Sequence, residues 1–418
     1  MTAVLLIFVS GCTEKLPNYP PAYREYAYVT DGKSNEVSVI DTLTFKNVKH
    51  IRVGEGPTGI AANPKKNEIY VVNTDSNNLS VIDAERNAVV ATIGLHRSPY
   101  FVDLTPDSKR AYIANAGSEN VSVVDVEARK TVGIIPVGHS PGLARVSPDG
   151  KTAVASNRGD GTVSVIDTAT LKVRATVAVC QTPEEIVFLA DSSKAFISCS
   201  SANEIAVVQL QRELPAPAGS PAAIPVPRPA SSRSKQQFGN KGAETPSDEA
   251  LPNNSERLLA LLDVGKTPMH LALKPDGGEI FVSNFGSDSV SEVLTGNNEV
   301  SSTHLLGPGP VRSIVSDDNS LLYVSNFNGN SVSIYAIDDG KLLQAVPVGT
   351  RPDALALTPS QQYLLVVDSG SGDVSVVRND GDVKPPRKSF ILFTMVPVGL
   401  DPRQIVVKAF MLRKPPEQ

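Results

Sequence analysis

The chain contains no tryptophan, and aromatic residues make up only 5% of its 418 residues. So thin an aromatic complement argues against a stacking platform for single-stranded nucleic acid. Positive charge is not in surplus: 39 Lys and Arg stand against 44 Asp and Glu, a formal net charge of -5. That balance argues against a phosphate-binding surface, and no nucleic-acid partner is expected. Long hydrophobic runs are missing too. The longest, Ala3 to Val9, falls far short of the roughly 18 residues that span a bilayer. Cysteine is sparse, at Cys12, Cys180 and Cys199. No CxxC, CxxCH or HExxH spacing, Gly-rich phosphate loop, GxSxG elbow or Ser-His-Asp spacing stands out, so no catalytic residue, cofactor or metal is expected. What is plentiful is turn chemistry. With 30 Gly and 32 Pro among 41% apolar residues, the chain reads as globular and rich in turns.

The N-terminal segment MTAVLLIFVSGC is short and apolar and ends in small residues before Cys12. It resembles the lipobox of a bacterial lipoprotein signal peptide, although no Lys or Arg precedes the apolar run. The resemblance implies removal of residues 1–11, acylation of Cys12, and a membrane-anchored protein in the bacterial cell envelope, periplasmic or on the outer surface. Residues 12–25, with Pro17, Pro20 and Pro21, read as a tether, and 411–418 as a tail.

Internal periodicity sets the fold. The string VSVID at Val37 returns as LSVID at Leu79, VSVVD at Val121 and VSVID at Val163. It continues as IAVVQ at Ile205, VSEVL at Val290, VSIYA at Val332 and VSVVR at Val374. Successive starts are 42 residues apart, save one step of 85 between Ile205 and Val290. An anchor proline follows most of them: Pro57, Pro99, Pro141, Pro183, Pro268, Pro310, Pro352 and Pro402. Each unit shows four short β-branched runs bounded by Asn, Gly, Asp and Pro, the mark of strands. In the third unit these are Gly142–Ser147, Ala111–Ala114, Val121–Asp125 and Val132–Val137, read as inner, second, third and outer strands. Units of this size cannot bury their faces alone, and a closed β-propeller stacks them without long free edges. The first unit opens at Tyr26 without an inner strand, and Arg403–Ala409 is an inner strand with nothing after it. The two are expected to complete one blade. The fold class is therefore all-β, a propeller of eight four-stranded blades over 26–410.

The second strands read Tyr28-Val29-Thr30-Asp31, Tyr70-Val71-Val72-Asn73, Tyr112-Ile113-Ala114-Asn115, Phe281-Val282-Ser283-Asn284 and Tyr323-Val324-Ser325-Asn326. They resemble the YVTN-repeat β-propeller family of bacterial exported and archaeal surface-layer proteins. The resemblance covers nearly the whole chain and implies a propeller, with seven blades as the alternative because familiar members often have seven. It implies little about activity: lactonase-like propellers and the haem d1 propeller of nitrite reductases are among the relatives.

The extra length of the fifth unit lies in a Pro- and Ser-rich segment, 212–257, expected to be a disordered loop between third and outer strands. A smaller insertion around Lys384-Pro385-Pro386-Arg387-Lys388 occupies the same place in the last full unit.

Candidate site residues are those that break the repeat. After the anchor proline most units carry small or apolar residues, but Tyr100, Glu184, Glu185, His270, Arg312, Asp353 and Arg403 depart from this. They open the inner strands and are expected to ring the channel mouth. One level deeper, Asp103 and Arg145 replace alanine in adjacent units, either as a buried ion pair or as a charged pocket for a polar small molecule. The repeated Asn column (Asn73, Asn115, Asn157, Asn284, Asn326) suits turn caps bonding local backbone. His96 and His139 share one loop type and read as solvent-facing, with a metal or haem site near His270 as the sharper alternative. Cys180 and Cys199 fall on one face of one unit, either as a disulfide or as two buried thiols.

Together these features lead to a membrane-anchored, exported scaffold, monomeric, that binds an envelope protein or polar small molecule at one mouth without catalysis. The competing expectation is an enzyme, a lactone hydrolase or a haem- or metal-dependent redox protein, built on His270, Glu184, Glu185 and Arg312.

Overall fold

The computed structural model describes residues 19–210, 256–379 and 389–412. Those residues form eight four-stranded antiparallel sheets. Blades 2–8 each run inner, second, third and outer strand in chain order, with inner strands beginning at Pro57, Pro99, Pro141, Pro183, Pro268, Pro310 and Pro352. One strand assignment changes. The inner strand of the third unit is Pro99–Leu104, whereas Pro141–Val146 pairs with Thr152–Asn157 in the next blade. The sequence string there is cut one hairpin too late, because the Pro-Asp-Gly turn joins an inner strand to the second strand that follows it.

Blade 1 closes the ring. Its inner strand, Pro402–Met411, lies antiparallel to Tyr23–Asp31, with Tyr26 opposite Lys408 and Tyr28 opposite Val406. The strand starts earlier than the expected Tyr26, and a hydrogen bond from Leu412 N to Ala22 O at 2.9 Å extends the pairing by one residue on each strand.

Second and third strands are buried almost throughout, because both blade faces are covered by neighbours. They are therefore runs of Val, Ile and Ala rather than alternations. Outer strands alternate, as in Glu299–Leu305. Large residues of five second strands wedge between blades: Tyr28, Tyr70, Tyr112, Phe196 and Phe281 are fully buried.

The Asn column serves the sheet more than the turn. Asn73 Nδ2 donates to Asn78 Oδ1 at 2.7 Å and to Ser80 Oγ at 2.9 Å, on the neighbouring strand. Asn157 repeats this with Thr162 and Ser164, both at 2.9 Å. A loop glycine presses on the same side chain: a Cβ on Gly138 would meet Asn157 Cγ at 2.7 Å. Glycine leaves that room in blade 4 without displacing the asparagine. In blade 5 both partners change. Cys180 stands in the glycine's place and Cys199 in the asparagine's, and they form a disulfide with Cα atoms 5.8 Å apart.

One face of the ring carries the outer-to-inner and second-to-third loops, and hence the channel mouth. The other carries the inner-to-second and third-to-outer turns, together with Tyr23 and Met411. The expected loop 212–257 and the insertion near Lys384 fall mainly outside the described residues. The strand ends that flank them, Gln209 and Arg257 and then Asn379 and Phe390, lie on this second face. Residues 1–18, with Cys12, also lie outside the described residues.

Candidate functional site

Each inner strand starts at the mouth with its anchor proline and runs down the channel, so its first positions form the rim and its later ones the wall. A cavity of about 690 Å³ occupies the mouth. Tyr100, Arg312, Asp353 and Arg403 line it, as the sequence reading expects, and with them Lys33, Phe101, Phe327, Arg351 and Asp401. A second cavity of about 460 Å³ lies against Asp103, Arg145, His270 and Ser313. Phe101, Arg312 and Gln404 border both and mark the level between them.

A chain of charges joins four inner strands. Arg145 of blade 4 donates to Glu185 Oε1 of blade 5 from Nη2 at 2.6 Å and from Nε at 3.2 Å. The other oxygen, Oε2, lies 3.7 Å from Arg312 Nη1 of blade 7. Arg312 Nε is in turn 3.6 Å from Asp353 Oδ1 of blade 8. Burial pushes the Glu185 carboxyl up, but Arg145, His270 and Arg312, in that order, outweigh it and hold the group at about 2. Glu185 is thus a fixed anion between two cations. Asp103 is not the direct partner of Arg145. Its Oδ2 accepts the Val146 N–H at 2.8 Å, and burial raises its pKa against the pull of Arg145. The longer arginine side chain reaches past its neighbour to the better-placed carboxylate.

His270 sits in blade 6, beside this chain. Burial, followed by the charge of Arg312, lowers its imidazole to about 3, so the ring is neutral at ordinary pH. Its Nδ1 accepts the Ser313 N–H at 3.3 Å, which leaves the remaining proton on Nε2. The ring's one free lone pair, on Nδ1, is thus engaged with the backbone.

Glu184 turns away from the chain and pairs with Arg158 at 2.7 Å. Aromatic faces back several cations: Arg145 lies 4.2 Å over Phe101, Arg158 5.5 Å over Tyr100 and Arg351 5.9 Å over Phe327. Arg403 bonds Asp401 on its own strand approach at 2.9 Å. Among the described residues Lys33 and Arg351, both exposed at the mouth, have no carboxylate partner. The mouth therefore presents two uncompensated positive charges beside aromatic walls.

His96 and His139 do not join His270. His96 Nδ1 contacts Asn120 Nδ2 at 2.8 Å, and His139 Nδ1 is paired with Asp160 at 2.7 Å. The sequence reading missed Lys33, Phe327 and Arg351 as lining residues because they lie in loops whose repeat pattern is loose. Phe101 carried a usable signal, since it replaces Gly59 and Leu143 at one inner-strand level.

A family model described as Lactonase, 7-bladed beta-propeller, matches residues 309–390, a span that includes Arg312 and Asp353. No curated protein matches the sequence. Among solved structures, dihydro-heme d1 dehydrogenase NirN in complex with DHE is similar at TM-score 0.65 and 12% identity, covering 91% of this chain and 74% of that one. AztD from Citrobacter koseri gives TM-score 0.60 at 15% identity, over 94% and 100% of the two chains. Kuenenia stuttgartiensis hydrazine synthase gives 0.52 at 18% identity, over 85% and 92%. At such identities the likeness is one of fold. The chain is a β-propeller, here with eight blades and a charged channel mouth.

Proposed function

We propose that this propeller is an exported, lipid-anchored binding protein that captures a small anionic molecule at its channel mouth without converting it. The observation that carries this is the pair of uncompensated cations, Lys33 and Arg351, on a cavity of about 690 Å³ walled by Tyr100, Phe101 and Phe327. A carboxylate or phosphate neutralises the cations, and the rings accept an apolar or planar remainder. Turnover is not favoured by the groups below. Glu185 is held between Arg145 and Arg312, and His270 keeps its proton on Nε2. Anchoring at Cys12 suits the topology, since the chain enters the ring at Tyr23 on the face opposite the mouth.

Native mass spectrometry of the full chain from its host membranes tests both parts. Loss of residues 1–11 with an acyl mass on Cys12 is expected, together with a ligand of a few hundred daltons. The purified chain should then bind small carboxylates or phosphates, with affinity at least tenfold weaker in Lys33→Ala and Arg351→Ala. Equal binding by these variants, or a large protein mass in place of a small ligand, overturns the small-anion reading. A second reading, lactone hydrolysis, has the family-model match over 309–390 in its favour. It requires lactone turnover that is lost in Arg312→Ala.

A further inference from the structure

Blade 1 departs from blade 2 at three positions that face one another, and no other blade carries this combination of acid, acid and histidine. At the end of the second strand Asp31 stands where Asn73 and Asn157 stand in blades 2 and 4. Directly opposite, Glu36 takes the place of Asn78. On the outer strand His50 lies opposite Ser38, where blade 2 sets Thr92 opposite Ser80. One ligand-capable atom from each of Asp31, Glu36 and His50 lies within 4.8 Å of the others.

The interior of this cluster is not electrically satisfied. Asp31 is wholly buried; its Oδ2 accepts from Ser38 Oγ at 2.7 Å, while its Oδ1 has no hydrogen-bond partner. Asn73 and Asn284 leave the same oxygen unpartnered, but theirs is a neutral amide oxygen. In blade 1 the position holds a carboxyl group, and a buried carboxylate without a counter-charge is far more costly. Blade 8 has Asp368 at this position and sets Asp373 opposite it, and burial, with the Asp373 carboxyl adding to it, raises the Asp368 carboxyl to about 8. Blade 1 instead supplies a second carboxylate and an imidazole: His50 Nδ1 is 3.1 Å from Glu36 Oε1 and 3.2 Å from Ser38 Oγ.

We propose that Asp31, Glu36 and His50 form a binding site for a divalent transition-metal ion, zinc foremost. A mixed set of imidazole nitrogen and carboxylate oxygens suits zinc, whereas calcium and magnesium prefer oxygen alone. Three protein ligands leave a coordination position open to water or to a solute. The ion would tie together the second, third and outer strands of the blade that closes the ring. Ser38 links the site to that seam, since it also accepts the Gly399 N–H at 3.3 Å. None of the three residues lines the mouth cavity, although Lys33 lies in the turn between Asp31 and Glu36, so zinc is titrated without added anionic ligand.

The test is zinc titration of the full-length, tag-free chain after chelator treatment, read by native mass spectrometry and by thermal melting. Asp31→Asn and His50→Thr each install the residue blade 2 carries at that place, so the blade geometry has a precedent for both. The expected result is one zinc per wild-type chain with a rise in Tm, and binding at least tenfold weaker in each folded variant, with the Tm rise reduced. Absence of stoichiometric zinc on the wild type overturns the proposal. So does unchanged affinity in both variants, or a preference for magnesium or calcium over zinc.

Discussion

Arg145 Nη2 donates to Glu185 Oε1 at 2.6 Å, bridging the inner strands of blades 4 and 5. Glu185 is among the few buried acids of the described residues, and its second oxygen faces Arg312 across blade 6. Replacing it by Gln leaves two guanidiniums near each other without their anion. Glu185→Gln should destabilise the fold by about 3–5 kcal/mol, the range seen when one partner of a buried pair is removed. The sign with pH follows from its folded pKa of about 2, below the ordinary glutamate value of about 4.3. The stabilisation is complete above the unfolded value and is lost as pH falls toward the folded one. Chemical denaturation of wild type and variant at pH 7 and at pH 3 checks both points. A variant as stable as wild type at pH 7 would show that the bridge adds nothing to the ring.

The Cys180–Cys199 disulfide takes over from the glycine–asparagine contact of blades 2, 4, 6 and 7. Closing a loop with a sequence separation of 19 should be worth about 3 kcal/mol. Cys199→Ala is expected to lose roughly that amount and to leave a thiol where most blades keep hydrogen. The pair Cys180→Gly with Cys199→Asn should recover part of the loss, because it rebuilds the usual contact. Urea midpoints for the three proteins decide this. Equal losses for the single and the double replacement would mean that the contact itself contributes no stability.

Asp368 is buried and sits opposite Asp373. Burial raises its carboxyl to about 8; the Ser375 hydroxyl opposes the rise and the neighbouring Asp373 carboxyl adds to it. A folded pKa above the unfolded one gives stability that is present at low pH and disappears as pH rises through the folded value. Asp368→Asn installs the residue found in blades 2, 3, 4, 6 and 7 and should stabilise the protein by roughly 1–2 kcal/mol at pH 8. At pH 4 the gain should vanish. A gain of the same size at both pH values would assign it to packing rather than to ionisation.

The fold was legible because the chain states it eight times. A repeat of 42 residues places every anchor proline and every Asn or its substitute in equivalent positions, and the unmatched ends announce their own pairing. The strand that heads each blade was harder to assign, since a tandem repeat has no natural origin and the cut can fall on either side of a turn. The site was half legible. Tyr100, Arg312, Asp353 and Arg403 reach the mouth because backbone phase alone puts them there. The partner of Arg145 was not readable: backbone phase favoured Asp103, but side-chain length and the crowding of the channel select Glu185. Lys33 and Arg351 belong to loops, where the repeat fixes position loosely and the direction of a long side chain not at all. The trio in blade 1 had only a partial signal: Asp31 breaks the Asn column and His50 stands alone at its outer-strand position, but Glu36 shares its position with Glu204 of blade 5.

The hydrogen bond from Leu412 N to Ala22 O sets the two described chain ends side by side on the face away from the mouth. A short linker could therefore join them, and new termini could be opened between Gln209 and Arg257, on that same face. Such a circular permutant would keep every blade, give blade 1 a continuous chain, and turn blade 5 into the mixed one. The choice of which blade is stitched from both ends is thus a matter of gene order and not of the ring.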